Sequence, residues 1–370
     1  MNRCARLLCV LLATLALPVT GCAGSSKPAP NQTADLTAPS LTADQVTQLG
    51  KEIGQVAYGE NRLAFAQARS ADSARNRVFS VDLKTGHRSL IASTAFDRGM
   101  IASVGIAGSW TVIVDHSGWR SPDDPRAQWR VIAIAPITHR QVILMSNGSK
   151  PDPFIPVLKS GNGVVFWSSA ETDLSARESL WRPGWAHPRA VLRHTQLAPT
   201  SDFASNRYLS YLGPASAIGK ARGSADCWRI PLFGGKPLAV TSSGRAMSCV
   251  SDGDSTVWTE HIEQHPTPIP AEGISDEPYR LWASAGGEAA RLVHLGYIST
   301  LPPLLVGKYL VWATLDDAPV FADLSHSGAP RERDSEELAQ APLGDDHAIV
   351  LIERGSHDVR VARVFRLQHP

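Results

Sequence analysis

From residue 51 to the end of the chain, apolar positions fall in short runs separated by Gly, Asn, Asp and Pro, and none carries a helical stripe. The runs share one texture. A turn-forming residue comes first, and five positions later an apolar or aromatic residue closes a β-rich stretch: Asn61 to Ala66, Gly108 to Ile113, Asn162 to Trp167, Asn206 to Tyr211, Gly253 to Trp258, Gly307 to Trp312 and Asp346 to Leu351. Their mean spacing is about 47 residues. A second texture follows most of them, in which two short strands flank a tight turn: Arg77 to Ala92, Glu178 to Arg193, Asp226 to Thr241 and Tyr279 to His294. Gly86, Gly184, Gly234–Gly235 and Gly286–Gly287 stand where such a hairpin needs a positive φ. The unit at Gly108 has Pro136-Ile137-Thr138-His139 there and is a weaker member. A third run lies upstream of several anchors, as at Met100 to Ala107, Phe154 to Lys159, Ala246 to Ser251 and Leu301 to Gly307.

Three or four strands of five to six residues plus turns need roughly 40–45 residues, the size of a propeller blade. The pattern therefore predicts an all-β chain: a β-propeller of four-stranded blades over 51–370, with seven blades, six or eight being the neighbouring options. Trp167, Tyr211, Trp258 and Trp312 are expected to pack between blades. The last unit ends with Asp358 to Gln368 and leaves no chain for a fourth strand. Either that blade has three strands, or a segment before Ile53 completes it.

The first 21 residues read differently. Arg3 and Arg6 precede an apolar run, Leu7 to Thr20, whose 14 residues span about 21 Å as a helix. That is too short for a bilayer core of about 30 Å and right for an export signal. Val19-Thr20-Gly21-Cys22 follows. Small residues before a cysteine resemble the lipobox of bacterial lipoproteins, which implies cleavage before Cys22 and a lipid on its sulfur; valine in place of the commoner leucine is a mild departure. Residues 23–40 are rich in Ser, Pro, Ala and Thr and cannot bury enough surface to offset their ordering entropy, so 22–50 reads as a flexible tether. Within it, Thr42-Ala43-Asp44-Gln45 before Val46 and Leu49 predicts a short capped helix.

The repeat texture in turn resembles the TolB-like and YVTN-like bacterial envelope propellers, where a turn Gly or Asn precedes a β-rich run and a second hairpin ends in a Gly turn. The W-S-P-D-G signature of TolB-like blades is not met, Cys249 to Asp254 being its nearest echo. Trp-Asp dipeptides and the quinone-propeller Trp motif are absent, so no cofactor is implied.

Composition sharpens a few of these points. Lys plus Arg is 36 and Asp plus Glu 35, a formal net charge of +1 that becomes −1 once Arg3 and Arg6 leave. Such a chain has no general field for polyphosphate, which argues against a nucleic-acid partner. Cys4 and Cys9 depart with the leader and Cys22 takes lipid, leaving Cys227 and Cys249 as a disulfide pair in an oxidising compartment. Hydrolase elbows and phosphate-binding glycine loops do not occur. His261-Ile262-Glu263-Gln264-His265 has metal-ligand spacing but sits in a Pro-rich insertion and reads as a solvated loop. Asp115-His116-Ser117 imitates part of a triad without a nucleophile context. Trp119 to Arg126 and Glu171 to Glu178 read as polar loops, and Pro330 to Glu337 as a solvated connection.

The function expected from the sequence is a lipid-anchored, monomeric, non-enzymatic module on the outer face of a bacterial membrane, binding an envelope protein or cell-wall component. An exported propeller lyase or hydrolase on sugar or lactone substrates is the alternative, and a ligand-sensing or solute-capturing module the third.

Overall fold

The computed structural model describes residues 45–367 apart from 71–72, 119–126, 149–154, 162, 173–174, 195–202, 205–207, 215–224, 233, 262–278, 286–288, 297, 300, 326–329 and 333–335. Local turn chemistry organises the chain. Asn61, Gly108, Gly253 and Gly307 take φ values of 58°, 51°, 55° and 56°, the left-handed region a tight hairpin demands. Each sits between the first and second strands of a sheet. Gly86 and Gly184, at φ 71° and 89°, serve the later hairpins, and in the weaker second unit His139 takes that role at φ 50°.

The result is seven sheets of four antiparallel strands. Blade 1 consists of Ile53–Gly59, Arg62–Ala68, Arg75–Asp82 and Arg88–Ser93. Blades 2 to 7 begin at Met100–Ala107, Leu158–Gly161, Phe203–Ala204, Ala246–Asp252, Leu304–Val306 and Leu343–Asp345. These first strands touch in consecutive order, and that of blade 7 touches that of blade 1, so they line the axis of a closed ring. The fold is a seven-bladed β-propeller. Among the described residues the helical content is one 3₁₀ turn, Ser356–Asp358, and no helix is long and apolar enough to cross a membrane.

The seventh blade is completed from the other end of the chain. Gln45–Gly50 pairs antiparallel with Arg360–Arg366, matching Gln45 to Val364 and Gly50 to Arg360. Of the two options for the last blade, completion by a segment before Ile53 is the one observed. The capped helix is not formed at 45–50, and the propeller begins at 45 rather than 51; residues 22–44 lie outside the described residues. Val46 and Leu49 have helical spacing, but the open edge of Arg360–Arg366 offers a ladder of backbone partners that a solvated helix would leave unpaired. Leu49 is buried while Val46 is exposed, so one side chain docks this strand.

Seven apolar clusters fill the seven gaps between blades. Trp167, Trp258 and Trp312 are buried there as expected, and Tyr211 is half-buried against Trp228, ring centroids 6.5 Å apart. Between blades 4 and 5 the buried members are Cys227, Ala246, Cys249 and Trp258, the smallest of the seven sets among the described residues. At this contact the Cys227 and Cys249 sulfurs are bonded, with Cα atoms 5.5 Å apart and a sequence separation of 22. A covalent tie therefore reinforces the contact whose buried apolar set is smallest among the described residues. Replacing both cysteines with alanine should lower stability by about 3 kcal/mol on the chain-entropy model. Denaturant unfolding measures the loss, and two free thiols in the denatured, unreduced protein would refute the pairing.

Candidate functional site

The ring has two unlike faces. On one lie tight turns between first and second strands, such as 60–61, 108–109, 253–254, 307–308 and 346–347. Neighbouring turns on this face are bonded to each other: Arg62 Nη2 donates to Gly108 O at 3.2 Å, Gly307 N–H to Asp252 Oδ2 at 2.5 Å, and Arg366 Nη1 to Asn61 Oδ1 at 3.0 Å. Both ends of the described chain, Gln45 and Leu367, lie on this side, since Leu367 N–H donates to His347 O at 2.8 Å. The opposite face carries the connections between second and third strands and from blade to blade. These are longer, as at 94–99, 336–342 and 355–359.

On the axis lies a cavity of about 250 Å³, lined by Tyr58, Val104, Lys159, Pro303, Gln340 and Leu343 among others. Polar side chains in and beside its wall clamp one blade to the next. Gln340 is bonded twice to the backbone of Val56, accepting from its N–H at 2.8 Å and donating to its carbonyl at 2.9 Å. Ser103 of blade 2 donates to Gln55 Oε1 of blade 1 at 2.6 Å and accepts from Leu158 N–H of blade 3 at 2.9 Å. Gln55 Nε2 donates to Leu158 O at 3.1 Å, and Ser160 accepts from Ile106 N–H at 2.7 Å. First strands of adjacent blades diverge and cannot form a backbone ladder, so these side chains satisfy groups that would otherwise stay orphaned. Tyr58 points its hydroxyl at Asp345 Oδ1, 3.4 Å away. Burial, reinforced by the Asp345 charge, pushes the Tyr58 phenol well above its ordinary pKa, so it stays protonated.

The triad-like run is dismantled by the strand it occupies. Asp115 and His116 are consecutive in Trp110–His116, so their side chains leave opposite sides of the sheet. Asp115 is buried and bonds Arg130 Nη2 at 2.6 Å and the Thr94 hydroxyl. His116 Nδ1 accepts from Gly118 N–H at 3.0 Å, and Ser117 Oγ accepts from Gln128 N–H at 2.9 Å. The Glu171 to Glu178 segment also departs from expectation, being largely strand, with Thr172 opposite Ser175 and Glu178 buried. The His261–His265 and Trp119–Arg126 runs lie outside the described residues, as does Cys22; the side chain of His261 is likewise undescribed, though its backbone closes Ser255–His261. Among the described residues no three His, Cys, Asp or Glu side chains gather as metal ligands.

Sequence reasoning passed over a recurring acidic or polar side chain at the sixth position of second strands. In blades 1, 2 and 5 it faces an Arg on the third strand, as Gln67 with Arg77, Asp115 with Arg130 and Glu260 with Arg280. In blade 7, Glu353 bonds Arg363 Nε at 2.5 Å. The signal was available, since these residues sit five positions after the start of runs otherwise apolar.

Two histidines, the buried His116 and the half-buried His294, give the fold a pH response. Burial holds the pKa of His116 below its usual value, with Asp115 opposing, and burial does the same for His294, whose ring lies 5.6 Å from that of Trp312. As pH falls, the unfolded chain takes up these protons first. Stability is therefore full above about pH 6.5 and is lost as pH drops below it. Urea midpoints should fall between pH 7.5 and 5.5, and His294→Phe should flatten part of that slope. A midpoint independent of pH over this range contradicts the assignment.

No family model matches the chain, and no curated relative matches it. Solved structures do. The β-propeller domain of the Trilobed protease from Pyrococcus furiosus is 10% identical, with 86% of this chain and 98% of that chain covered and a TM-score of 0.58. An oligogalacturonate lyase in complex with manganese is 12% identical over 90% of this chain and 97% of that one, with a TM-score of 0.55. An acylaminoacyl peptidase is 8% identical, with a TM-score of 0.54; 86% of this chain is covered but only 52% of that one. The likeness is one of fold. The Pyrococcus domain is described as an open velcro, whereas in this chain the Gln45–Gly50 strand closes the ring.

Proposed function

We propose that this protein is a lipid-anchored binding module of the bacterial cell envelope, exported by its leader and held to the outer face of a membrane through Cys22. It acts as a monomer on an envelope protein or a cell-wall component. The observation that carries this reading is the commitment of Gln55, Ser103, Ser160 and Gln340 to inter-blade clamps, which makes the axis a scaffold. Chemical variety is concentrated instead in the long connections of one face. Gln45 lies on the other face, so a tether from Cys22 enters from the short-turn side. A coil of that length spans about 25 Å, enough to hold the ring clear of headgroups with its long connections outward.

Cys22→Ser should release the protein from the membrane fraction and abolish lipid labelling; unchanged fractionation would refute anchoring. A photo-crosslinker at Ser356, on the long-connection face, should capture a discrete envelope partner in intact cells, and one at Lys308, on the short-turn face, should not. A blank at Ser356 under several growth conditions would refute the binding role.

The axial cavity with Tyr58 and Lys159 supports a second reading, an exported enzyme acting on sugar or lactone substrates. Turnover of such a substrate that is lost in Lys159→Ala would establish it in place of the first.

A further inference from the structure

A second hollow, of about 260 Å³, opens on the long-connection face at the seam between blades 7 and 1. Ile53, Ile352 and Ala339 give it an apolar floor, and Arg75 and Arg360 stand at its rim. Each arginine is the first residue of the third strand of its blade, so ring closure brings the two together. Gly54 permits this arrangement, because a Cβ there would come within 2.9 Å of the Arg75 Cδ; bare backbone lets the arginine shaft lie across the strand. The other polar side chains of the hollow are occupied, Gln340 by Val56 and Gln55 by Ser103 and Leu158.

Arg360 is half-buried, and its Nη1 is shut off from water with no hydrogen-bond acceptor. Burial holds this guanidinium below its usual pKa; Asp358 opposes the shift, while the like charges of Arg354 and Arg75 add to it. Arg354 has a partner of its own in Glu337, at 3.6 Å. Two forked donors of one sign therefore face a hollow whose remaining polar groups are already bonded. Among the described residues, neither guanidinium is hydrogen-bonded to an acceptor.

We propose that the seam hollow is an oxyanion site, in which Arg75 and Arg360 together take the carboxylate or phosphate of a small ligand and so bridge blade 1 to blade 7. A planar guanidinium presents paired N–H groups that match the two oxygens of either anion, and the Ile53–Ile352 floor accommodates a short apolar substituent beside it. The site is independent of the anchoring and partner-binding reading.

The test is thermal unfolding of the detergent-solubilised full-length protein at constant ionic strength, with chloride replaced stepwise by inorganic phosphate or by butyrate. Binding to the native state raises Tm in a saturable way, and the stronger of the two anions identifies the preferred group. Arg75→Gln and Arg360→Gln should each weaken the apparent affinity about tenfold or more, while leaving Tm in chloride equal or higher because the like-charge repulsion is gone. Phosphate also stabilises proteins generally by exclusion from their surface. An identical rise in all three proteins would therefore overturn the site, as would no rise in any. Lower Tm in chloride with an unaltered anion response would show that the arginines are structural. Should Arg360→Gln fail to fold, Arg75→Gln decides alone, since its side chain is exposed.

Discussion

Leu49→Asp is expected to open the ring. Leu49 is 1% exposed and packs with Val350, Ile352 and Val364 of blade 7 and with Ile53 and Val56 of blade 1. It is the buried side chain through which the Gln45–Gly50 strand holds its place. Truncating a leucine in such a setting costs about 2–5 kcal/mol, and a carboxylate there adds the desolvation of an unpaired charge. A loss of at least about 4 kcal/mol is a large part of the roughly 5–15 kcal/mol that stabilises a typical domain. Val46→Asp provides the control. Val46 belongs to the same strand but is 55% exposed, so its substitution should stay within about 0.5 kcal/mol. Urea unfolding of the two variants separates a structural closing strand from a free tether. A tether would tolerate both changes equally, and that outcome would remove the seam from the fold.

Arg130→Met should be the next most damaging change. Asp115 is buried, and its cation is the Arg130 guanidinium, 2.6 Å away and 28% exposed. Arg130 also lies over the Phe96 ring, 4.6 Å from its centroid. Removing the arginine leaves a buried carboxylate held by the Thr94 hydroxyl and a longer contact from Ala95 N–H. Breaking a buried pair from one side typically costs 3–5 kcal/mol, and the partial exposure of Arg130 sets the expectation at about 3 kcal/mol. The double variant Arg130→Met with Asp115→Leu should recover most of the loss, because two apolar groups have nothing to desolvate. A double-mutant cycle by chemical denaturation measures this. A change of under about 0.5 kcal/mol for Arg130→Met would show that the pair contributes nothing.

The parts of the fold legible in the sequence are those governed by local chemistry. Asn61, Gly108, Gly253 and Gly307 were visible as turn residues because a two-residue hairpin accepts few others, and all four have positive φ. The apolar or aromatic residue closing each run was readable as core, since a strand between two sheets buries the same position from blade to blade, as at Ala66, Ile113, Trp167, Trp258, Trp312 and Leu351. That a segment before Ile53 could complete the last blade was legible from the missing fourth strand, but its form was not, because Val46 and Leu49 fit a helix as well as a strand and the partner lies far along the chain. Local propensity yields to such a partner. The axial clamps and the Arg75–Arg360 rim were hidden for the same reason. Gln55, Ser103, Gln340 and the two arginines are unremarkable polar residues until ring closure brings them together.

The strand that seals the propeller is the first of the ring to be synthesised, and it pairs with Arg360–Arg366, among the last. A nascent chain can build its early blades in order, yet it must leave this segment waiting until the Arg360–Arg366 strand has emerged. Closing so long a loop is slow compared with forming a hairpin. A prematurely terminated product never gains its seal and exposes the unpaired margins of its sheets to proteases. The stability of the ring therefore depends on strands from both its first and its seventh blade-forming segments being present together.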